Sequence, residues 1–321
     1  MPEHGNASNP NRSSWIKKLG PGLITGAADD DPSGIATYSQ GGAQFGFNML
    51  WTVLFTYPLM VAIQTVSARI GRVSGHGLAT NIRRHYPASL LYAIVGLLLT
   101  ANTINIAADI AAMADASQLL AGGPVQGYAV GFGLLSALLQ VFIPYRRYVR
   151  ILKWLTLALF AYVATAFVVR IDWTQVMLAT IAPHLSLSSA YLTTVVAIFG
   201  TTISPYLFFW QASQEVEDQL PDRRAQPLLY APWQAKSNLR RIRVDTCIGM
   251  GISNLVAFFI ILTAAATLNQ HGLTDIQTAA QAASALRPIA GDFAFFLFTA
   301  GMRRTDSDCY DCPSDASKRL Q

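Results

Sequence analysis

Charge is what this sequence has least of. Only 13% of its 321 residues are Asp, Glu, Lys or Arg, about half the share found in an average soluble chain. That leaves too little polar surface to solvate a globule of this size, which excludes an ordinary water-soluble domain. Cysteine is scarce as well, with three residues. Cys247 lies in an apolar run, and Cys309 and Cys312 lie in a polar tail, so no disulfide framework is expected. One Cys-x-x-Cys pair without a second is a weak zinc signal. A cleavable signal peptide is also not expected, because the chain is polar through Ser14 and no small-residue cleavage site follows a short apolar core. The glycosylation patterns at Asn6 and Asn11 fall on a terminus expected in the cytoplasm and are discounted. The net charge of +5 is not read as a nucleic-acid footprint, because the basic residues sit where membrane topology would put them.

What the chain does have is long apolar runs, within a composition that is 52% hydrophobic. Many approach twenty residues, about what a helix needs to cross a 30 Å hydrocarbon core. They are apolar all round, as in Leu90–Thr100, Leu155–Val169 and Leu255–Leu268, whereas a soluble bundle would show stripes. Eight spans are predicted: Leu19–Phe45, Leu50–Ile70, Leu90–Ala121, Tyr128–Ile143, Ile151–Val169, Tyr191–Ser213, Cys247–Leu268 and Pro288–Met302. Thr274–Leu286 reads as a surface helix.

Lys and Arg are retained on the cytoplasmic side. With the N-terminus inside, carrying Arg12, Lys17 and Lys18, alternation puts Arg69, Arg72, Arg83 and Arg84 in one inside loop, and Arg146, Arg147, Arg150 and Lys153 in the next. Arg223, Arg224, Lys236, Arg240, Arg241 and Arg243 fall in a third. The outside loops keep only Arg170 and Arg287. A multi-pass protein of the inner (plasma) membrane with a cytoplasmic N-terminus follows, its surroundings the lipid bilayer.

Two spans contain breakers. The first reads Ala28-Asp-Asp-Asp-Pro-Ser-Gly34, and the sixth reads Gly200-Thr-Thr-Ile-Ser-Pro-Tyr206. Pro32 and Pro205 lack an amide hydrogen and clash with the preceding turn, which frees carbonyl oxygens. Irregular backbone at membrane depth is tolerated where it lines a cavity or is buried in protein. The two breaks are five spans apart, so the second set of five runs in the opposite sense. That is the mark of an inverted repeat binding its substrate at the midplane. Intramembrane carboxylates are costly and usually functional. Successive residues on a helix turn by about 100°, so Asp29, Asp30 and Asp31 cannot all face one ion. Asp31, beside the break, is the expected ligand, and Asp30 is a candidate for drawing cations into a vestibule. Thr202, Gln211, Asn102 and Asn105 read as packing between helices. His76 and His85 read as solvated.

At these residues the chain resembles the Nramp family of divalent-metal transporters. The resemblance runs from Gly20-Pro-Gly22 through about Gly301. It is carried by Asp31-Pro-Ser-Gly34-Ile-Ala-Thr37, Gln44-Phe-Gly46 and Gly200-Thr-Thr-Ile-Ser-Pro-Tyr206. It implies an all-α polytopic membrane protein of five-plus-five inverted-repeat (leucine-transporter-like) architecture, with the second repeat incomplete. The implied organisation is a cytoplasmic tail over 1–18, a transmembrane domain over 19–302, and a polar tail over 303–321 read as a truncated or frameshifted end. The family's metal-binding Asp is kept as Asp31, and the Asp of its third span as Asp109. Its metal-binding Asn falls on Gly34, its Met on Ser204, its alanine with a metal-facing carbonyl on Thr201, its His on Tyr206, and its third-span Glu on Ala112.

Those departures have a chemical direction. A methionine thioether is soft and favours transition metals, whereas an all-oxygen set suits hard ions. Asp31, with Ser33, Gly34, Thr201 and Ser204, would then form a roomier oxygen site for an ion that keeps part of its water, as Mg2+ does. The resemblance extends to a divergent branch associated with magnesium. Transport of Mg2+ first and Mn2+ second, by alternating access, is the expectation. Neither Tyr206 nor Ala112 takes up a proton near neutral pH, so uncoupled transport is expected. Enzymatic activity, a resident cofactor and an obligate protein partner are not. Three rivals stand beside this: a small-organic-solute carrier of the same fold, an intramembrane aspartyl protease using Asp31 and Asp109, and a non-transporting relic. The protease needs a Gly-x-Gly-Asp stretch that is missing.

Overall fold

The structure is a computed structural model that describes residues 21–142, 163, 166, 167, 169, 171–219 and 226–276. The described residues form helices α1 (Pro21–Asp29), α2 (Pro32–Phe45), α3 (Leu50–Ser74), α4 (Leu78–His85) and α5 (Ala88–Ala121). These are followed by α6 (Val125–Phe142), α7 (Trp173–Ile181), α8 (Ser189–Thr202), α9 (Pro205–Glu217) and α10 (Ala235–Thr267). No strand occurs among them.

The first predicted span is two helices, α1 and α2, separated at Asp30 and Asp31. The sixth is also two, α8 and α9, separated at Ile203 and Ser204. Both breaks are built alike. The residue before the proline is extended, with φ −75° and ψ 165° at Asp31 and φ −74° and ψ 128° at Ser204, as steric clash with a following proline requires. The proline then opens the next helix at its first position, where its missing N–H costs no bond.

Helix α10 is the centre of the bundle. Its C-terminal stretch, Ile260 through Thr267, is buried without interruption. Helices α1, α2 and α3 pack on it, α9 packs on α3, and α8 packs on α2. Close approach of backbones makes this possible. A Cβ added to Gly26 would run into the carbonyl of Gly249, and one added to Gly42 would lie 2.5 Å from the Ile261 carbonyl oxygen. Small residues at such crossings let membrane helices gain van der Waals contact that lipid does not offer. On the outside, α5 and α6 present Leu97, Leu99, Ile104, Val130 and Leu134. So extended an apolar surface suits hydrocarbon rather than water.

Several expectations need correcting. The helix that carries the seventh span starts at Ala235, ahead of the expected span at Cys247. Lys236, Arg240, Arg241 and Arg243 therefore belong to its first turns rather than to a loop. Leading a helix with basic residues carries it past the hydrocarbon, and Arg241 finds carboxylate partners there. Helices α4 and α7 were not foreseen; both are short, too brief for a span signal. Residues Thr274–Ile276 are not helical, and the remainder of the expected surface helix lies outside the described residues. So do the expected spans Ile151–Val169 (apart from four residues) and Pro288–Met302, both tails, and Cys309 and Cys312.

Candidate ion-binding site

The site is assembled where the two breaks meet. Asp31 caps the N-terminus of α2, its Oδ1 accepting from the Gly34 amide at 2.6 Å and from the Ser33 hydroxyl at 2.8 Å. A short acceptor side chain at this position satisfies an amide that the first helical turn leaves unpaired. Its other oxygen, Oδ2, accepts from Asn105 Nδ2 of α5 at 2.8 Å and from the Tyr206 hydroxyl of α9 at 3.2 Å. One buried carboxylate thus ties together α2, the third-span helix and the second break. Asp109, one turn beyond Asn105, accepts from the Ser33 amide at 3.1 Å.

Gly34 is where oxygens from both breaks come together. A Cβ placed on it would lie 3.1 Å from Asp31 Oδ1, 3.3 Å from Thr201 Oγ1 and 3.7 Å from the Asp29 carbonyl oxygen. A carboxylate oxygen, a hydroxyl and a helix-end carbonyl, drawn from both breaks, close around this position so tightly that a side chain fits only if they give way. Ends of half-helices with unwound carbonyls are how this architecture handles cations.

The remaining expected residues divide. Ser204 is buried near the break, but its hydroxyl donates to the Thr201 carbonyl at 2.6 Å. One carbonyl freed by Pro205 is therefore already engaged, while the hydroxyl oxygen keeps lone pairs. Asp29 turns away from Asp31 and accepts from Ser253 of α10 at 2.6 Å. Asp30 is fully buried. Thr202 bonds to Tyr38 at 2.8 Å, and Gln211 to Thr246 at 2.9 Å, both as links between helices. Asn105 is the residue that sequence reasoning misplaced: it contacts Asp31 and Ser33 directly. A signal was available, because Asn102, Asn105 and Asp109 recur at spacings of three and four on one face of an otherwise apolar helix.

Among the described residues no group of three or more His, Cys, Asp or Glu side chains is placed to share an ion. The groups at the break are the Asp31 and Asp109 carboxylates and neutral oxygens; none of these is a sulfur or an imidazole.

The family model for natural resistance-associated macrophage protein-like proteins, Nramp, matches residues 22–305. The chain belongs to the Nramp family. Among its relatives is the divalent metal cation transporter MntH of Chromohalobacter salexigens, 28% identical over 92% of this chain and 69% of the relative. Another is MntH of Deinococcus radiodurans, 29% identical over 88% of this chain and 64% of the relative. Among solved structures, the manganese transporter of Eremococcus coleocola superposes with a TM-score of 0.73 at 20% identity, over 94% of this chain and 65% of that one. This Nramp chain therefore has the fold of an integral membrane transporter, and it spans about two thirds of the length of these relatives.

Proposed function

We propose that this Nramp protein carries divalent metal cations across the plasma membrane by alternating access, with Asp31 as the charged ligand. Mg2+ is its first substrate and Mn2+ its second. The observation that supports this reading is the convergence of Asp31 Oδ1, Thr201 Oγ1 and the Asp29 carbonyl around Gly34. A cation drawn to these groups meets hard oxygen ligands, with Asp31 as the carboxylate among them. Mg2+ dehydrates reluctantly and is commonly held by one or two carboxylates plus water. A thioether would draw softer ions, and Ser204 stands where the resemblance puts the methionine. Ser33 and Ser204 supply hydroxyl oxygens at the rim of the site, and the N-terminus faces the cytoplasm.

Transport is downhill, without proton exchange. Tyr206, the hydroxyl partner of Asp31, stands where the resemblance puts the family's histidine, and Ala112 stands where it puts the glutamate, so neither offers the imidazole or carboxylate that would carry a proton. No resident cofactor and no catalytic step are part of this reading.

The test is titration calorimetry of Mg2+, Mn2+ and Cd2+ into the detergent-solubilised chain, beside Asp31→Ala. Binding in the order Mg2+, Mn2+, Cd2+ that is lost in the variant supports the reading. Strong Cd2+ binding without Mg2+ binding reverses the ion order. For coupling, the chain is reconstituted in vesicles loaded with a pH dye. Metal influx that acidifies the lumen refutes downhill transport.

A further inference from the structure

We infer that Asn105 is a positioning residue that makes Asp31 meet its ion through one oxygen only, and so discriminates small from large divalent cations. The inference rests on the reading of Asp31 as the ion ligand.

The geometry gives the Asn105 amide two tasks. Its Nδ2 donates to Asp31 Oδ2 at 2.8 Å, and its Oδ1 faces the Ser33 hydroxyl at 3.0 Å. The amide can point only this way, since a carboxylate accepts and never donates when ionised. Tyr206 adds a second donor to the same Oδ2 at 3.2 Å. The other oxygen, Oδ1, accepts from the Gly34 amide at 2.6 Å and is the one that lies beside Gly34 with Thr201 Oγ1 and the Asp29 carbonyl.

Ser33 has a single hydroxyl proton and two acceptors within reach: Asp31 Oδ1 at 2.8 Å and Asn105 Oδ1 at 3.0 Å. When a cation takes Asp31 Oδ1, that proton turns to Asn105. The serine oxygen is then left with lone pairs toward the ion. Asn105 thus holds Oδ2 out of the coordination sphere and accepts the Ser33 hydrogen bond that Oδ1 gives up.

The consequence is selectivity by denticity. A carboxylate restricted to one oxygen suits Mg2+, which demands near-octahedral geometry and keeps several waters. Ca2+ is larger, tolerates irregular shells and readily takes both carboxylate oxygens. Releasing Oδ2 therefore favours the larger ion.

The experiment measures Mg2+ and Ca2+ affinities by titration calorimetry on the full chain in detergent, for wild type, Asn105→Leu, Asn105→Gln and Asp31→Ala. The Leu variant raises the Ca2+ to Mg2+ affinity ratio by about tenfold, the equilibrium weight of one hydrogen bond to a charged group. The Gln variant keeps an amide and stays closer to wild type. Asn105→Ala is read in the same way if the Leu variant does not fold. Loss of binding in Asp31→Ala, with an unchanged ratio or an equal weakening of both ions in Asn105→Leu, overturns the role of Asn105 alone. Undiminished binding in Asp31→Ala overturns the ion-site reading on which it rests.

Discussion

Tyr206 donates a hydrogen bond to Asp31 across 175 residues of sequence, hydroxyl to Oδ2 at 3.2 Å. This contact joins the two broken helices directly. Alternating access in this architecture moves broken helices against the rest of the bundle, so a bond between the breaks has to change as the site opens. The resemblance to the family's motif puts a histidine at this position. An imidazole there would titrate between pH 5 and 8, where a phenol does not.

The first prediction follows from that difference. Tyr206→His should make divalent cation uptake depend on pH between about 5.5 and 7.5, whereas the wild-type protein stays flat over that window. A vesicle flux assay at a series of external pH values distinguishes the two. Equal pH dependence in wild type and variant would show that the group at this position does not set coupling.

The second concerns ion softness. Ser204→Met puts a thioether at the second break, beside the Thr201 carbonyl that Ser204 now engages. The Cd2+ to Mg2+ affinity ratio should rise by about tenfold or more, because soft ligands select softer ions. Gly34→Asn tests the same oxygens by crowding them. Its Cβ meets Asp31 Oδ1 at 3.1 Å and Thr201 Oγ1 at 3.3 Å, so both must shift and Mg2+ affinity should fall. Calorimetry reads both, and a Gly34→Asn variant that binds Mg2+ as well as wild type would show that the placement of these two oxygens does not set the affinity.

How much of this was legible in the sequence depended on the kind of signal. The two breaks could be read, because proline and carboxylates inside apolar runs are local anomalies with one physical meaning. The start of the seventh helix could not, because basic residues read as loop until their partners are known; Arg241 stays helical with Glu215 and Asp218 facing it. The direction of each side chain at the break was also hidden. Asp29, Asp30 and Asp31 are equivalent in composition, and only packing sends Asp29 to Ser253 and Asp31 to Asn105. Asn105 itself lies 74 residues from Asp31, a separation that no single-sequence pattern bridges.

A third prediction addresses packing. Gly26→Val places branched carbon where the Gly249 backbone already sits. Neither partner is a flexible side-chain end, so α1 must move off α10. Overpacking typically costs about 1–3 kcal/mol, and a backbone collision belongs at the upper end. Thermal unfolding in detergent should show a lower midpoint than for Gly96→Val on α5, where an added Cβ meets nothing within 4 Å. Equal midpoints would mean that the α1–α10 contact is not tight in the folded protein.

The last prediction concerns the charged end of the bundle. Arg241 Nη2 of α10 lies 2.5 Å from Glu215 Oε2 of α9, and the Glu215 side chain is wholly buried while that of Arg241 is about a quarter exposed. Asp218 reaches the same guanidinium at 3.8 Å. Breaking a buried pair by removing one partner leaves an uncompensated charge and costs about 3–5 kcal/mol, whereas replacing both with apolar residues of similar volume is often close to neutral. The partial exposure of Arg241 and the nearby Arg72, which also acts on Glu215, put Arg241→Met at the lower end of that range. Arg241→Met alone should therefore lower the unfolding midpoint more than the double substitution Arg241→Met with Glu215→Leu. Because the pair joins the second half-helix to the central helix, the double variant should also release α9 and speed cation exchange in vesicles. A double variant less stable than either single change would show that the pair contributes net stability, beyond neutralising its own buried charge.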